Sequence, residues 1–444
     1  MTDQIMNLIE EGKFSQARNE IIEMNVVDIA HFLEQLEEEK LLVMFRLLPK
    51  EIAADVFSYI SSELQQYIIE VIADKEIKSI IDKLFLDDTV DILEEMPANV
   101  VKKILKNTSQ DRRELINQFL NYPENSAGSI MTIEYVDLKK EMNVKEAIDH
   151  IKKIGVDKET INTCYVMNKN RRLEGIISLR KLILSDEETL IEDIMNTNII
   201  SIQTYADQED IAALFKKYDL LTMTVVDNEN RLVGIITIDD VVDIIEQENT
   251  EDFQKMAAMQ PSDEEYLKTS VFNLAKHRVL WLLVLMISAT FTGNIIRRYE
   301  DALLSVVVLA SFIPMLMDTG GNSGSQSATL VIRGIALEEI KLKDILKVLW
   351  KELRVSIMVG STLAIVNFIR IYYFEKVDLN VTIAVCVSLL ITVVVAKIVG
   401  GGLPIIAKKL KLDPAVMAAP LITTIVDAVA LISYFSIASR LLGL

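Results

Sequence analysis

The sequence is short of the residues that build covalent staples and soft-metal centres. Two cysteines, Cys164 and Cys386, are too few for a disulfide framework or a thiolate metal site. Three scattered histidines, His31, His150 and His277, make a zinc or copper cluster equally hard to assemble. Any metal bound here is therefore expected to be a hard cation held by oxygen. The opening stretch, MTDQIMNLIEEGKFSQARNE, lacks a basic segment followed by an apolar core. That excludes a cleaved secretory signal and leaves the N-terminal half in the cytosol. There is no P-loop or other phosphate-cradling motif, and no pairing of nucleophile with base to mark an enzyme.

What the chain has in excess is negative charge, unevenly spread. Its 444 residues suffice for two or three domains and carry 46 basic and 65 acidic side chains. Within the first 267 residues 54 acidic groups face 28 basic ones, a net of −26, and the remainder of the chain is +7. The acidic half repels nucleic-acid phosphates and suits cations as ligands. On composition alone, an ordinary solvated acidic surface is the alternative.

From the start to about Asn121, apolar residues recur at helical spacing. DIAHFLEQL, EIAADVFSYI, EIKSIIDKLF and NVVKKILKN begin at Asp28, Glu51, Glu76 and Asn99. This period of about 24 residues predicts a small helical solenoid, an architecture that presents a surface to a partner. After YPENSAGSIM the texture changes to short β-branched runs alternating with amphipathic helices. YVMNKNRRLEGIISLRKLIL from Tyr165 matches TVVDNENRLVGIITIDDVVDII from Thr224, and SIM before Thr132 is echoed by DIM before Asn196. Each copy reads strand, turn, strand, helix, and resembles a cystathionine beta-synthase (CBS) domain, a module that works as an intramolecular pair. The resemblance implies adenosine-nucleotide binding, ATP included, through a Ser/Thr-x-x-Asp at the end of the second strand. Thr237 and Asp240 fit that pattern, whereas Ser178 is followed three residues on by Lys181, so one half of such a site is degraded. The helix opening at Asp239 continues through DDVVDIIEQENTEDFQKMAAM as an acidic connector.

Beyond it, five segments are long enough to cross about 30 Å of hydrocarbon: roughly 279–296, 302–332, 355–374, 379–406 and 415–442. The loops expected on the N-terminal side hold twelve Lys and Arg, among them Lys268, Lys276, Lys341, Lys347, Lys408 and Lys411. Those on the other side hold five: Arg297, Arg298, Arg370, Lys376 and Arg440. The asymmetry predicts a cytosolic N-terminus and an extracytoplasmic C-terminus. A carboxylate at bilayer depth is costly unless it is paired or faces water. Asp427 is such a group, and Thr423, Thr424 and, one turn further back, Pro420 share its helical face. The bland alternative is a structural aspartate neutralised by Lys397. In PMLMDTGGNSGSQSATLVIRG, Gly320, Gly321 and Gly324 let backbones approach, while Asn322, Ser323, Ser325, Gln326, Ser327 and Thr329 can satisfy backbone groups or line water.

That string, with LDPAVMAAPLITTIVDAVALI after it, closely resembles MgtE-type magnesium channels, and the likeness runs over essentially the whole chain. The fold class implied is multidomain. An all-α helical solenoid N domain (1–125) precedes an α+β tandem CBS pair (126–190 and 191–246), a connecting plug helix (247–270) and an all-α polytopic membrane domain of five transmembrane helices (271–444). The resemblance further implies a homodimer in the plasma membrane whose pore runs along the two-fold axis, with Asp427 meeting Mg2+ from both chains. Asp413 would stand at the pore mouth, with Asp318, Gly320, Gly321, Asn322, Gln326, Thr423 and Thr424 lining the path. Regulatory Mg2+ would fall to Asp207, Glu209, Asp219, Asp240, Asp243, Glu248, Glu251 and Asp252, with Asp87 and Asp91, one helical turn apart, as N-domain partners. Mg2+ would enter down its electrochemical gradient, and internal Mg2+ would close the path. Lys397 departs from the family pattern, which expects a neutral residue; it is expected either to snorkel to the cytosolic interface or to pair with Asp427. A membrane-bound sensor that reports divalent-cation or nucleotide status without conducting is the competing reading.

Overall fold

The structure is a computed structural model that describes residues 2–262, 266–267, 269–417 and 419–443; the side chains of residues 417–420 lie outside the description. Lys268 and the Pro420 side chain, both singled out above, therefore fall outside it. The chain forms two compact bodies, Met1–Ile245 and Glu246–Leu444.

The first body opens with ten helices between Thr2 and Phe119. Asp28, Glu51, Glu76 and Asn99 fall in the first turns of four alternate ones, Val26–Glu34, Lys50–Tyr59, Asp74–Ile81 and Ala98–Asn107. These four pack in series, each on the next. Their apolar stripes explain why: Ile29, Leu33, Phe57, Ile77, Ile81 and Ile104 are fully buried, so a helix that cannot bury its stripe alone does so against its neighbours. Extended residues break the chain between helices, Pro49 and Pro97 among them, since proline fixes φ and has no N–H to leave unpaired.

Two three-stranded sheets follow. β1 (Val136–Leu138) runs parallel to β2 (Thr163–Met167), which pairs antiparallel with β3 (Leu173–Ser178). β4 (Ser201–Gln203), β5 (Thr222–Val226) and β6 (Leu232–Thr237) repeat the order and the bulge at the end of the middle strand. The SIM and DIM echo marks an exchange between the two halves. Thr132 bridges to Ile235 of the second sheet, and Asn196 bridges to Ile176 of the first. The methionines seat over glycines: a Cβ at Gly234 would stand 2.7 Å from the Met131 sulfur, and one at Gly175 2.5 Å from that of Met195. Glycine lets each methionine seat without moving, and at Gly234 a Cβ would also stand 2.8 Å from the Thr132 carbonyl oxygen, which cannot swing aside.

The connecting helix, Ile238–Met256, begins in the first body and ends in the second. In the second body, among the described residues, four helices are long and apolar enough to cross a membrane: Val271–Arg298, Leu342–Phe374, Leu379–Lys409 and Pro414–Leu442. The remaining segment differs from the expected single span over 302–332. A short helix, Glu300–Ser305, stops at Val306 (φ −137°, ψ 80°), one 3-10 stretch covers Val307–Phe312, and the polar glycine-rich helix then runs from Ile313 to Ala336. Pro314 sits in that helix's first turn, where its missing N–H costs nothing. The break is anchored: Tyr434 donates its hydroxyl to the Leu309 carbonyl at 2.9 Å, and Leu309 and Phe312 are buried with Val385, Leu389 and Phe435. Among the described residues, length and apolarity alone give four membrane-spanning helices where five were expected, and the glycine-rich helix is too polar to count on that basis.

Candidate functional site

The glycine-rich helix has two unlike faces. Gly320, Gly321, Ser323, Gly324 and Ser327 are buried. A Cβ on Gly320 would come within 2.7 Å of Thr392 and 2.8 Å of Val426, one on Gly321 within 2.8 Å of Thr423, and one on Gly324 within 2.5 Å of Ile422. The glycines are therefore where the last helix and the helix Leu379–Lys409 press in, and tight packing accounts for them. On the opposite side Asp318, Asn322 and Gln326, spaced by one turn, form an exposed polar stripe. Asn322 donates its amide to Asp318 Oδ1 at 3.0 Å.

Asp427 lies half-buried on the last helix, one residue from Val426, which touches the glycine face. Among the described residues its carboxylate has neither a hydrogen bond nor an ion pair. Thr423 and Thr424, on the same face, are half-buried too, and both have polar partners. Neither expectation for Lys397 holds. It is buried, 4% exposed, so it does not snorkel, and its ammonium donates to the Ser323 carbonyl and Ser327 Oγ, each at 3.5 Å, not to Asp427.

At the other end of the connecting helix's path, in the second body, Lys255 stands between two acids. Its Nζ lies 2.5 Å from Glu251 Oε1 and 2.6 Å from Asp413 Oδ2. Burial pulls the Lys255 ammonium down, but its hydrogen bonds to Asp413 and Glu251 outweigh that and hold it protonated. Asp252 beside them is pushed up to about 6 by burial, and by Asp413, Glu248 and Glu251 against the opposing pull of Lys255. Met256 packs against the cluster of Ala328, Ile332, Ala396, Ile422 and Val426, which seats the end of the connecting helix on the helices just described.

In the first body a second set of carboxylates faces itself. Asp87 is buried, 8% exposed, and its acid is pushed well above the usual range by burial, then by Asp88, Asp240 and Glu159. Asp91 rises to about 7 through desolvation, Asp240 and Glu94. Asp88 rises to about 6 through burial, Asp55, Asp239 and Glu134; Glu159 rises to about 7 through burial, Asp239 and Asp240. Asp240 reaches about 6 through burial and Asp239, although Thr237 Oγ1 donates to its Oδ2 at 2.8 Å and works the other way.

Asp87, Asp91 and Asp240 are thus brought together. Asp88, Glu134, Glu159 and Asp239 join them although the sequence reading did not pick them out. The neighbours of Asp87 and Asp240 were available as a signal. Glu159, in the irregular stretch after a 3-10 turn, gave none. Asp207 instead caps the helix Gln208–Tyr218, its Oδ1 accepting from the Glu209 N–H at 2.9 Å, and Asp219 closes that helix in the left-handed region with φ 51°. Asp243 is exposed on the connecting helix and Glu248 half-buried. Among the described residues no three acidic, His or Cys side chains converge as a ready-made metal site. Ser178, the degraded counterpart of Thr237, caps its own helix by accepting from the Lys181 N–H at 3.2 Å.

Comparison with known proteins fits this layout. Residues 313–437 match a family model described as a divalent cation transporter, 24–125 match the MgtE intracellular N domain, and 127–187 and 191–247 match the CBS domain. The magnesium transporter MgtE of Thermus thermophilus is 35% identical over 443 residues, covering 99% of this chain and 98% of the relative. That of Bacillus subtilis is 33% identical over 437 residues, covering 98% and 96%. Among solved structures, the cytosolic domain of the Mg2+ channel MgtE in complex with ATP is 33% identical at a TM-score of 0.53, spanning 55% of this chain and 100% of that one. The soluble part of a magnesium transporter is 28% identical at 0.53, spanning 56% and 97%. With N domain, CBS pair and glycine-rich membrane helices matched in order along nearly its full length, the chain belongs to the MgtE family of divalent cation transporters.

Proposed function

We propose that this protein is a Mg2+ channel of the plasma membrane that admits Mg2+ to the cytosol and is closed by Mg2+ already there. The observation that carries the reading is Asp427: a half-buried carboxylate, without a partner among the described residues, in a helix long and apolar enough to span a bilayer. Such a group is costly unless it meets water or a cation. Mg2+ sheds its waters reluctantly and demands octahedral geometry, so carboxylates that touch the hydrated ion suit it better than a dense cage. A second copy of the chain supplies the matching carboxylate in this reading. It also gives the polar stripe of Asp318, Asn322 and Gln326 something other than lipid to face, and makes the glycine-rich helix the fifth membrane helix. A negative interior favours entry by about 2.3 kcal/mol per charge per 100 mV, doubled for a divalent ion, so no coupled energy source is needed. The N-terminus is cytosolic and the C-terminus extracytoplasmic on the charge asymmetry of the loops.

Gating follows from the two carboxylate sets. Like charges held together repel, and divalent cations relieve the repulsion by bridging them. In this proposal Mg2+ bridges Asp87, Asp91 and Asp240 in the cytosolic body, with Asp207, Glu209, Asp219 and Asp243 as further contributors, and Glu248, Glu251, Asp252 and Asp413 at the pore mouth. The connecting helix, which carries members of both sets, is thereby held against the membrane helices. ATP at the CBS pair is a further part of the proposal. Thr237 and Asp240 are the residues that would hold the nucleotide, while the first repeat offers only Ser178 and Lys181 at the equivalent place. Asp240 then serves both the nucleotide and the carboxylate set. The test is flux of Mg2+ into proteoliposomes under an imposed gradient without ATP hydrolysis. Entry that saturates and shuts as cytosolic-side Mg2+ rises supports the reading; a protein that binds Mg2+ yet passes none is a sensor.

A further inference from the structure

Lys397 is a buried positive charge within a membrane-spanning helix, and no carboxylate stands within 4.0 Å of it among the described residues. A lysine in that setting needs a compensating partner. The structure supplies one through a hydroxyl. Ser327 accepts from the Lys397 ammonium at 3.5 Å and donates to Glu352 Oε2 at 2.6 Å, so three helices are joined at a single serine. The Ser323 carbonyl, one turn earlier on the same face, takes the second lysine contact at 3.5 Å. Two glycines on the lysine's own helix make room for the junction. A Cβ at Gly400 would stand 2.1 Å from the Gly324 carbonyl oxygen, and one at Gly401 2.9 Å from the Glu352 side chain. Both serines sit on the face opposite the exposed stripe of Asp318, Asn322 and Gln326.

We propose that Lys397, bridged to Glu352 through Ser327, is a positioning device that fixes the rotation of the glycine-rich helix about its axis and so aims its polar stripe. A helix whose packing face is mostly glycine and small residues has little shape to stop it turning; a charge on one side of Ser327 and its counter-charge on the other give it one preferred angle. The geometry stands by itself, while its consequence for ion passage rests on the transport reading.

The experiment places a single cysteine at Asn322→Cys or Gln326→Cys in the full-length dimer, with Cys164→Ser and Cys386→Ser removing the buried native thiols, and measures the rate of modification by a charged thiol reagent in proteoliposomes. Ser327→Ala removes the bridge without adding volume or removing either charge. It is expected to change the modification rate at both positions by about tenfold. Lys397→Met should do the same, and Lys397→Met with Glu352→Gln, which leaves no orphaned charge, should recover stability without recovering the native labelling pattern. Native rates in Ser327→Ala overturn the proposal, whatever becomes of the lysine variants. Mg2+ flux is read on the same vesicles: a parent protein that labels as expected but carries no Mg2+ refutes the transport reading and leaves the rotation result intact.

Discussion

Asp427 and Lys397 show how differently a half-buried and a buried charge can be accommodated within helices of membrane-spanning length. The lysine is shared between a carbonyl and a hydroxyl, and the aspartate has no hydrogen bond or ion pair among the described residues, which the proposed function reads as room for a cation. Asp427 stood out in the sequence because a carboxylate inside an apolar run is costly; its bland alternative, neutralisation by Lys397, is removed by the lysine's contacts with Ser323 and Ser327. The lysine's arrangement was not legible there, because its hydroxyl partner is 70 residues away and the glutamate beyond it a further 25 residues from that serine. The same holds for the cytosolic carboxylates: Asp87 and Asp91 declare themselves by helical spacing, whereas Glu159 arrives through folding alone. Their titration gives a residue-scale prediction. Asp88 and Asp240 sit near 6, and Asp91 and Glu159 near 7, all raised above their unfolded values. A raised carboxylate binds more protons folded than unfolded, so without metal the cytosolic region is most stable in mild acid and loses stability as pH climbs through about 6 to 7. Limited proteolysis in chelator should therefore be slower at about pH 5.5 than at about pH 8. Mg2+ should protect strongly at the higher pH and little at the lower. Equal protection at both would mean that these acids do not face one another in solution.

At the scale of elements, the glycines divide into those that hold helices together and those that do not. Gly400 meets the Gly324 backbone, which cannot swing aside, whereas a Cβ at Gly402 would find only Leu349 at 3.4 Å and one at Gly293 nothing within 4 Å. Gly400→Ala is thus expected to destabilise the membrane body by about 1–3 kcal/mol through overpacking, with Gly402→Ala and Gly293→Ala near neutral, as thermal unfolding in detergent would report. A Gly400→Ala midpoint matching the parent would mean that the two helices do not approach so closely. Sequence periodicity found the alternate helices of the N domain because each hides one apolar stripe. It did not find the break between Ser305 and Ile313, since apolarity is blind to where a helix stops. Pro314 was the one local sign, and what holds the break in place is a hydroxyl from Tyr434, 125 residues on.

At the scale of the whole molecule, the order of parts could be read because each carries its own period, and family membership rests on that order. What no local pattern displays is how the acidic connector acts, because that depends on carboxylates drawn from several elements. On the proposed gating, Asp240→Asn, Asp243→Asn, Glu248→Gln and Glu251→Gln together should leave Mg2+ passing at internal concentrations that shut the parent protein. Normal closure in that variant would remove the connector from the sensing role. The most direct test of the central claim compares Mg2+ flux through proteoliposomes bearing the parent protein with flux through Asp427→Ala, both checked as intact dimers. The account predicts that the substitution abolishes flux while the dimer survives. Undiminished flux through Asp427→Ala would contradict it.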